Sequence, residues 1–189
     1  MAMHSSYPAF STTTGGLSPG FRWIGVAEPA PEVVDQVARQ AAMHASRGEY
    51  SQALASYGRA LLLDDSRAVL WFNYANLQRT MGFLRDAAES FEFALGLDPR
   101  LFAARYSLAN LLIELGQPLA AREHFWQVTR DHPEYMPAWR NLGRLQCAIG
   151  DLEAARESLA RAQLLAPHDP EIAGLLLELD REQGSPPEN

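Results

Sequence analysis

Two asparagines three residues apart, Asn73 and Asn76, stand in the run WFNYANL at 71–77 among aromatic and aliphatic neighbours. A carboxamide carries a donor and an acceptor, the same two functions that a peptide backbone offers. Left unpaired inside a protein it is costly, so amides in such a run are expected to face a partner. The cations fit the same kind of work. All 16 basic residues are arginine, and a guanidinium is a planar fork shaped for carboxylates or phosphates. Groups for catalysis do not assemble. The histidines at 4, 44, 124, 132 and 168 lack metal-ligand spacing, and no carboxylate is placed to orient one of them against Cys147. No glycine-rich phosphate loop occurs, and acids such as those of EAARES at 153–158 read as solvated helix faces. The legible chemistry is recognition by amides and guanidiniums; an enzyme, a metal site and a cofactor are not expected.

With 189 residues, 47% hydrophobic and 21% charged, the chain suits one folded domain with a sizeable core. A formal charge of −7 argues against nucleic-acid binding, which rests on neutralising phosphates. One cysteine forms no internal disulfide and asks for no oxidising compartment. The start, MAMHSSYPAFSTTTGG, has neither a basic n-region nor an apolar stretch of signal-peptide length. The longest aliphatic runs, LLL at 61–63 and GLLLEL at 174–179, are too short to cross a bilayer. A cytoplasmic protein without membrane insertion is the expectation.

The elements that must position the amides follow from a period. Glycines at 48, 82, 116 and 150 are 34 residues apart. Five residues after each comes Ala53, Ala87, Ala121 or Ala155, and four further on Tyr57, Phe91, Phe125 or Leu159. Ala60, Ala94, Val128 and Ala162 follow, then Asp65, Pro99, Pro133 and Pro167. Ahead of the glycines lie Ala41, Ala75, Ala109 and Gly143, preceded by Val37, Trp71, Arg105 and Trp139. These columns describe helix pairs. Trp139, Leu142 and Gln146 share one helical face, as do Trp71, Tyr74 and Gln78. Small residues at 75, 87 and 94 let two backbones approach, while Trp71 and Phe91 fill the remaining space. The glycines predict left-handed C-terminal caps and Asp151 an N-terminal cap. Pro118 fits a first turn, and the prolines at 99, 133 and 167 stop each second helix.

WRNLG at 139–143, and AAESFEF at 87–93 closed by Pro99, carry a resemblance: over about residues 34–169 the chain resembles tetratricopeptide repeat proteins. The resemblance implies an all-α fold, a right-handed α-solenoid of antiparallel helix pairs. The domain would span 31–183, with repeats at about 34–67, 68–101, 102–135 and 136–169. Repeat one departs most, with Gln40 and His44 in place of leucine and tyrosine and Asp65 in place of proline; packing is the expected role of His44. Arg105 replaces tryptophan in repeat three, and Pro118 replaces an aromatic. PEIAGLLLELDREQG reads as a polar-backed capping helix at 170–183, followed by a disordered tail at 184–189. Residues 1–30 do not join the repeat and read as a flexible or extended segment holding Tyr7, Phe10, Phe21 and Trp23.

In repeats of this kind the first helices line the concave side of a superhelix. Subtracting the core columns leaves Ala38, Arg39 and Ala42 in repeat one, and Phe72, Asn73, Asn76 and Arg79 in repeat two. Repeat three offers Tyr106, Ser107, Asn110 and Ile113, and repeat four Arg140, Asn141, Arg144 and Cys147. Asn73, Asn76, Asn110 and Asn141 form a rough ladder, interrupted by Ser107. It is similar to the asparagine ladders of certain glycosyltransferase repeat domains, which hold extended polypeptide by its main chain. Arg39, Arg79, Arg140 and Arg144 gather on the same wall, with Asp35 and Glu114 the acids near its edges. Two readings stay open for these side chains: they line a groove for a ligand, or they bond to adjacent helices and water. The carboxylate clamp of the family's co-chaperones does not carry over. Laid on repeats one to three it meets Ala38, Ala42, Asn73, Ala103 and Ser107, with one asparagine in place. On repeats two to four it meets Phe72, Asn76, Ser107, Pro137 and Asn141, again with one.

The expectation is a non-catalytic adaptor, scaffold or chaperone that binds an extended, acidic or amphipathic segment of a partner protein in the groove. A second reading is a substrate-recognition or assembly subunit of a separate enzyme, such as a peptide-modifying glycosyltransferase. GFRWIGV at 20–26 has aromatic and β-branched residues suited to an extended segment, which offers a route to self-occlusion or self-association.

Overall fold

The computed structural model describes residues 30–184. The expected leader, with GFRWIGV at 20–26, and the tail SPPEN lie outside the described residues. Among those residues nine helices and no strand occur: α1 (Pro31–Ser46), α2 (Tyr50–Leu63), α3 (Ala68–Thr80), α4 (Leu84–Leu97), α5 (Phe102–Glu114), α6 (Pro118–Asp131), α7 (Met136–Ala148), α8 (Leu152–Leu165) and α9 (Pro170–Gly184).

The glycine column works as its spacing predicts. Gly48, Gly82, Gly116 and Gly150 have φ of 75°, 84°, 72° and 81°, the left-handed region that a side chain disfavours. Each follows an odd-numbered helix and builds the same two bonds. Gly48 N donates to Ala45 O at 3.0 Å and Glu49 N to His44 O at 3.0 Å; Gly150 N and Asp151 N repeat this on Cys147 O and Gln146 O. The pair is the Schellman arrangement, which satisfies two of the free helix carbonyls and turns the chain back. Asp151 stands at the N-terminal cap of α8 but its carboxylate makes no capping bond, and it lies 4.0 Å from Arg122 instead. The Asp151 backbone, at φ −86° and ψ 69°, is outside the extended conformation typical of a side-chain N-cap. His44 also departs from expectation, because beside packing it pairs with Glu49 across the first glycine turn.

The even-numbered helices end two residues before each proline, at Leu97, Asp131 and Leu165. Where Asp65 replaces proline, Asp64 makes the turn: it accepts from Ser66 N at 3.1 Å, from Ser66 Oγ at 2.6 Å and from Arg67 Nε at 2.6 Å. The Ser66 hydroxyl is the first cause that holds the Asp64 carboxyl below its usual range.

The helices pack through the small columns. Ala75, Ala87, Ala94, Ala109 and Ala121 are fully buried, with Phe91 and Phe125 locked between them. Trp71 and Trp139 lie half-buried, and each indole N–H donates to a carbonyl six residues upstream, Asp65 O at 2.8 Å and Pro133 O at 2.9 Å. Arg105, in the same column, donates to Pro99 O at 2.9 Å. The substitution therefore keeps a donor aimed at the same carbonyl. A buried polar pair recurs too: Ser90 Oγ donates to Gln78 Oε1, and Ser158 Oγ to Gln146 Oε1, both at 2.7 Å.

Each odd-numbered helix packs on the even one after it, and the pairs stack in chain order. In addition α3 touches α5 and α7 touches α9, whereas no comparable contact joins the even-numbered helices. The odd helices thus form the inner layer of an all-α repeat solenoid. Asp169 opens α9 by accepting from Glu171 N at 2.9 Å and Ile172 N at 3.3 Å, a side-chain cap. Ile172 and Leu179 are then buried against the preceding pair.

Candidate functional site

The inner wall is built from one face of α1, α3, α5 and α7, and its side chains divide into those with internal partners and those without. The asparagine ladder mostly bonds to itself. Asn76 Nδ2 donates to Phe72 O at 3.0 Å, and Asn110 Nδ2 to Tyr106 O at 2.9 Å, each one turn back along its own helix. Asn141 is 6% exposed, and its Nδ2 donates to Tyr106 Oη and to Asn110 Oδ1, both at 3.0 Å. That amide ties α7 to α5. Asn73 is the exception: it is half-buried and has no hydrogen-bond partner among the described residues.

The arginines divide in the same way. Arg79 pairs with Glu114 of α5, with Nε donating at 3.1 Å. Arg140 reaches Asp169 at 3.2 Å and Glu171 at 3.0 Å, and Arg144 approaches Glu171 at 3.7 Å. Asp169 and Glu171 thus join Asp35 and Glu114 as acids on this wall, a correction to the sequence reading, which placed only the latter two. The cause is the cap of α9, which carries both acids to the end of α7. Arg67, at the start of α3, takes Asp35 of α1 as well as Asp64. Arg39 is exposed and has no acid partner among the described residues.

Aromatic rings fill the wall between these polar groups. Phe72 rests on Phe91 with centroids 6.1 Å apart, and Tyr106 meets Phe125 at 5.7 Å and Tyr135 at 5.3 Å, edge to face. Phe102 stands 5.3 Å from Tyr135 and extends this patch. Phe102 and Tyr135 were not among the sequence candidates, because both precede or open a helix and fall outside the columns that were subtracted.

One depression opens on this wall, between α1 and α3, with a volume of about 320 Å³. Ala38, Ala42, Val69 and Leu70 form its apolar part, and Tyr57, Asn73, Arg39 and the paired Asp35 and Arg67 its polar part. Tyr57 had been read as core only. The signal for the depression lay in the columns themselves. Position 38 is alanine where its equivalents are Phe72, Tyr106 and Arg140, and position 42 is alanine where they are Asn76, Asn110 and Arg144.

Among the described residues no group of three metal-capable side chains converges, and no helix is long and apolar enough to cross a membrane. The chain's sequence has relatives among known proteins. It is 31% identical over 117 residues to a protein of Fusarium oxysporum named "Tetratricopeptide repeat and J domain-containing co-chaperone DNJ1". The match takes in 62% of this chain and 21% of the relative, so the chain spans about a fifth of that protein's length. Among solved structures, one of MamA superposes with a TM-score of 0.77 at 17% identity, over 82% of this chain and 85% of the other. A second, titled "YrrB: a TPR protein with an unusual peptide-binding site", gives 0.66 at 20% identity, over 80% and 91%. Two sequence profiles, each described as Tetratricopeptide repeat, match residues 72–125 and 116–179. Those spans run together through three of the four Schellman glycines, most of the alanine columns and the bond from the Trp139 indole to Pro133, and so the chain belongs to the tetratricopeptide repeat family.

Proposed function

We propose that the chain is a non-catalytic interaction adaptor that holds an extended segment of a partner protein along the inner wall of α1, α3, α5 and α7. The observation that carries this reading is the half-exposed series Phe72, Asn73, Tyr106 and Arg140, with Ser107 between, on successive inner helices. Rings supply burial, and amide and guanidinium groups supply orientation, the division of labour expected of a peptide site. The name of the fungal relative, a co-chaperone, supports a polypeptide as the ligand, as does the peptide-binding site named for YrrB.

Internal pairing of the arginines alters the expected preference for acidic ligands. A carboxylate that engages Arg79 or Arg140 must displace Glu114 or Asp169, an exchange of like for like that gains little. Affinity then comes from the rings and the free amide, and binding in the micromolar range, about −8 kcal/mol, fits a wall of this kind.

The test is an array of immobilised fifteen-residue peptides probed with the full chain, with a Ser107→Trp variant that fills the middle of the wall, and with a Glu89→Trp variant on the outward α4. We expect peptides that bind the wild type to lose at least tenfold in affinity with Ser107→Trp and to keep it with Glu89→Trp. Equal binding by all three proteins would place recognition elsewhere.

A further inference from the structure

We infer that the depression between α1 and α3 is an anchor site for one large apolar side chain of the partner segment, with an acidic side chain beside it held by Arg39. This deepens the groove reading above and rests on it. The argument is a coincidence of place. Along the inner wall the amides of Asn76, Asn110 and Asn141 are hydrogen-bonded, and Arg79, Arg140 and Arg144 face acids. The two members of these sets without a partner among the described residues, Asn73 and Arg39, both line the depression between α1 and α3.

A third polar group joins them. Tyr57 is 5% exposed, its side chain is part of the same lining, and its hydroxyl has no protein partner. The ring is buried while the hydroxyl still meets solvent in the depression, where a ligand can reach it. Burial pushes the Tyr57 phenol pKa up, which keeps it a donor across the neutral range.

Size and polarity then define the occupant. A depression of about 320 Å³ has room for a single large side chain. Its apolar part, made by Ala38, Ala42, Val69 and Leu70, suits an aromatic ring. The three free polar groups offer two hydroxyl or guanidinium donors and one amide, and a carboxylate supplies the acceptors they lack. Asp35 and Arg67 also line the depression, and they pair with each other, which leaves Arg39 as its unpaired charge. The depression is open rather than enclosed, which admits a residue within a running chain.

The experiment uses the full chain and degenerate, C-terminally amidated nonapeptide pools read by fluorescence anisotropy. One pool fixes tryptophan followed by aspartate at its centre, a second alanine–aspartate, a third tryptophan–asparagine. The first is expected to bind at least fivefold tighter than either of the others. Ala42→Trp, at an exposed position that fills the depression, should weaken it tenfold or more. Arg39→Gln should erase the preference for aspartate over asparagine and keep that for tryptophan over alanine. Equal binding of the three pools, or of Ala42→Trp and wild type, overturns the anchor site. If Ser107→Trp still abolishes binding in that case, the groove reading survives without it. Absence of binding by every pool overturns the anchor site, while the array experiment decides the groove. Binding that emerges only after removal of residues 1–29 assigns the depression to the chain's own leader and overturns a partner as its occupant.

Discussion

His124 occupies the column that Ser90 and Ser158 hold one repeat earlier and one later, and Leu112 occupies the column of their partners Gln78 and Gln146. The glutamine that would have satisfied a polar group there is absent, and His124 Nδ1 is buried without a partner. Burial, and after it the charge of Arg105, hold the imidazole pKa below its ordinary 6.5. A depressed folded pKa means that the unfolded chain takes up the proton first as pH falls. The contribution is therefore whole above pH 6.5 and is lost as pH drops toward the folded value. Denaturant titrations at about pH 7.5 and 5.5 should show a larger loss of stability in wild type than in His124→Phe; equal losses would count against this account. The same column logic explains what could be read in advance and what could not. Arg105 was visible as a departure from tryptophan, but its bond to Pro99 O depends on where a long side chain folds back. The asparagine ladder was visible as a series of amides, whereas the choice between a neighbouring helix and an open groove depends on rotamers. Asn73 and Asn141 carry the same side chain and made opposite choices.

Single helices were the most legible scale, because glycine, proline and alanine act through backbone and volume, which follow from residue type alone. The four left-handed glycines and the ends at Leu97, Asp131 and Leu165 lie where the spacing put them. Asp151 was misread because a side-chain N-cap typically needs an extended backbone, which residue type alone does not reveal and which Asp151 lacks. Gly143 offers a test at this scale. A Cβ there would lie 2.6 Å from Leu159 Cγ and 3.2 Å from its backbone nitrogen, so α7 and α8 would have to part. Gly143→Ala should cost about 1–3 kcal/mol through overpacking. Gly96→Ala in α4 meets nothing within 4 Å, and should gain up to ~1 kcal/mol from helix propensity. Thermal or denaturant melts of the two variants check the pair, and a Gly143→Ala protein as stable as wild type would refute the close approach.

At the scale of the whole chain, the period made the solenoid readable, since stacked pairs contact only their neighbours. The helix α9 completes the stack by burying Ile172 and Leu179, which at about 1.5–3 kcal/mol each is a contribution on the order of 3–6 kcal/mol. Its loss also strips Arg140 of Asp169 and Glu171. Truncation after Ala166 should therefore lower Tm by at least several degrees, and an unchanged melt would show that α8 needs no cover. What the period could not convey is how one inner helix is tied to the next, because those ties join side chains roughly a repeat apart. They differ in kind. Asp35 with Arg67, Glu114 with Arg79, and Arg140 with Asp169 are ionic, while α5 and α7 are joined by the uncharged Asn110, Tyr106 and Asn141. Salt screens the first kind and leaves the second. Brine therefore weakens the side-chain ties of α3 to α1 and α5, and of α7 to α9, and spares the one between α5 and α7.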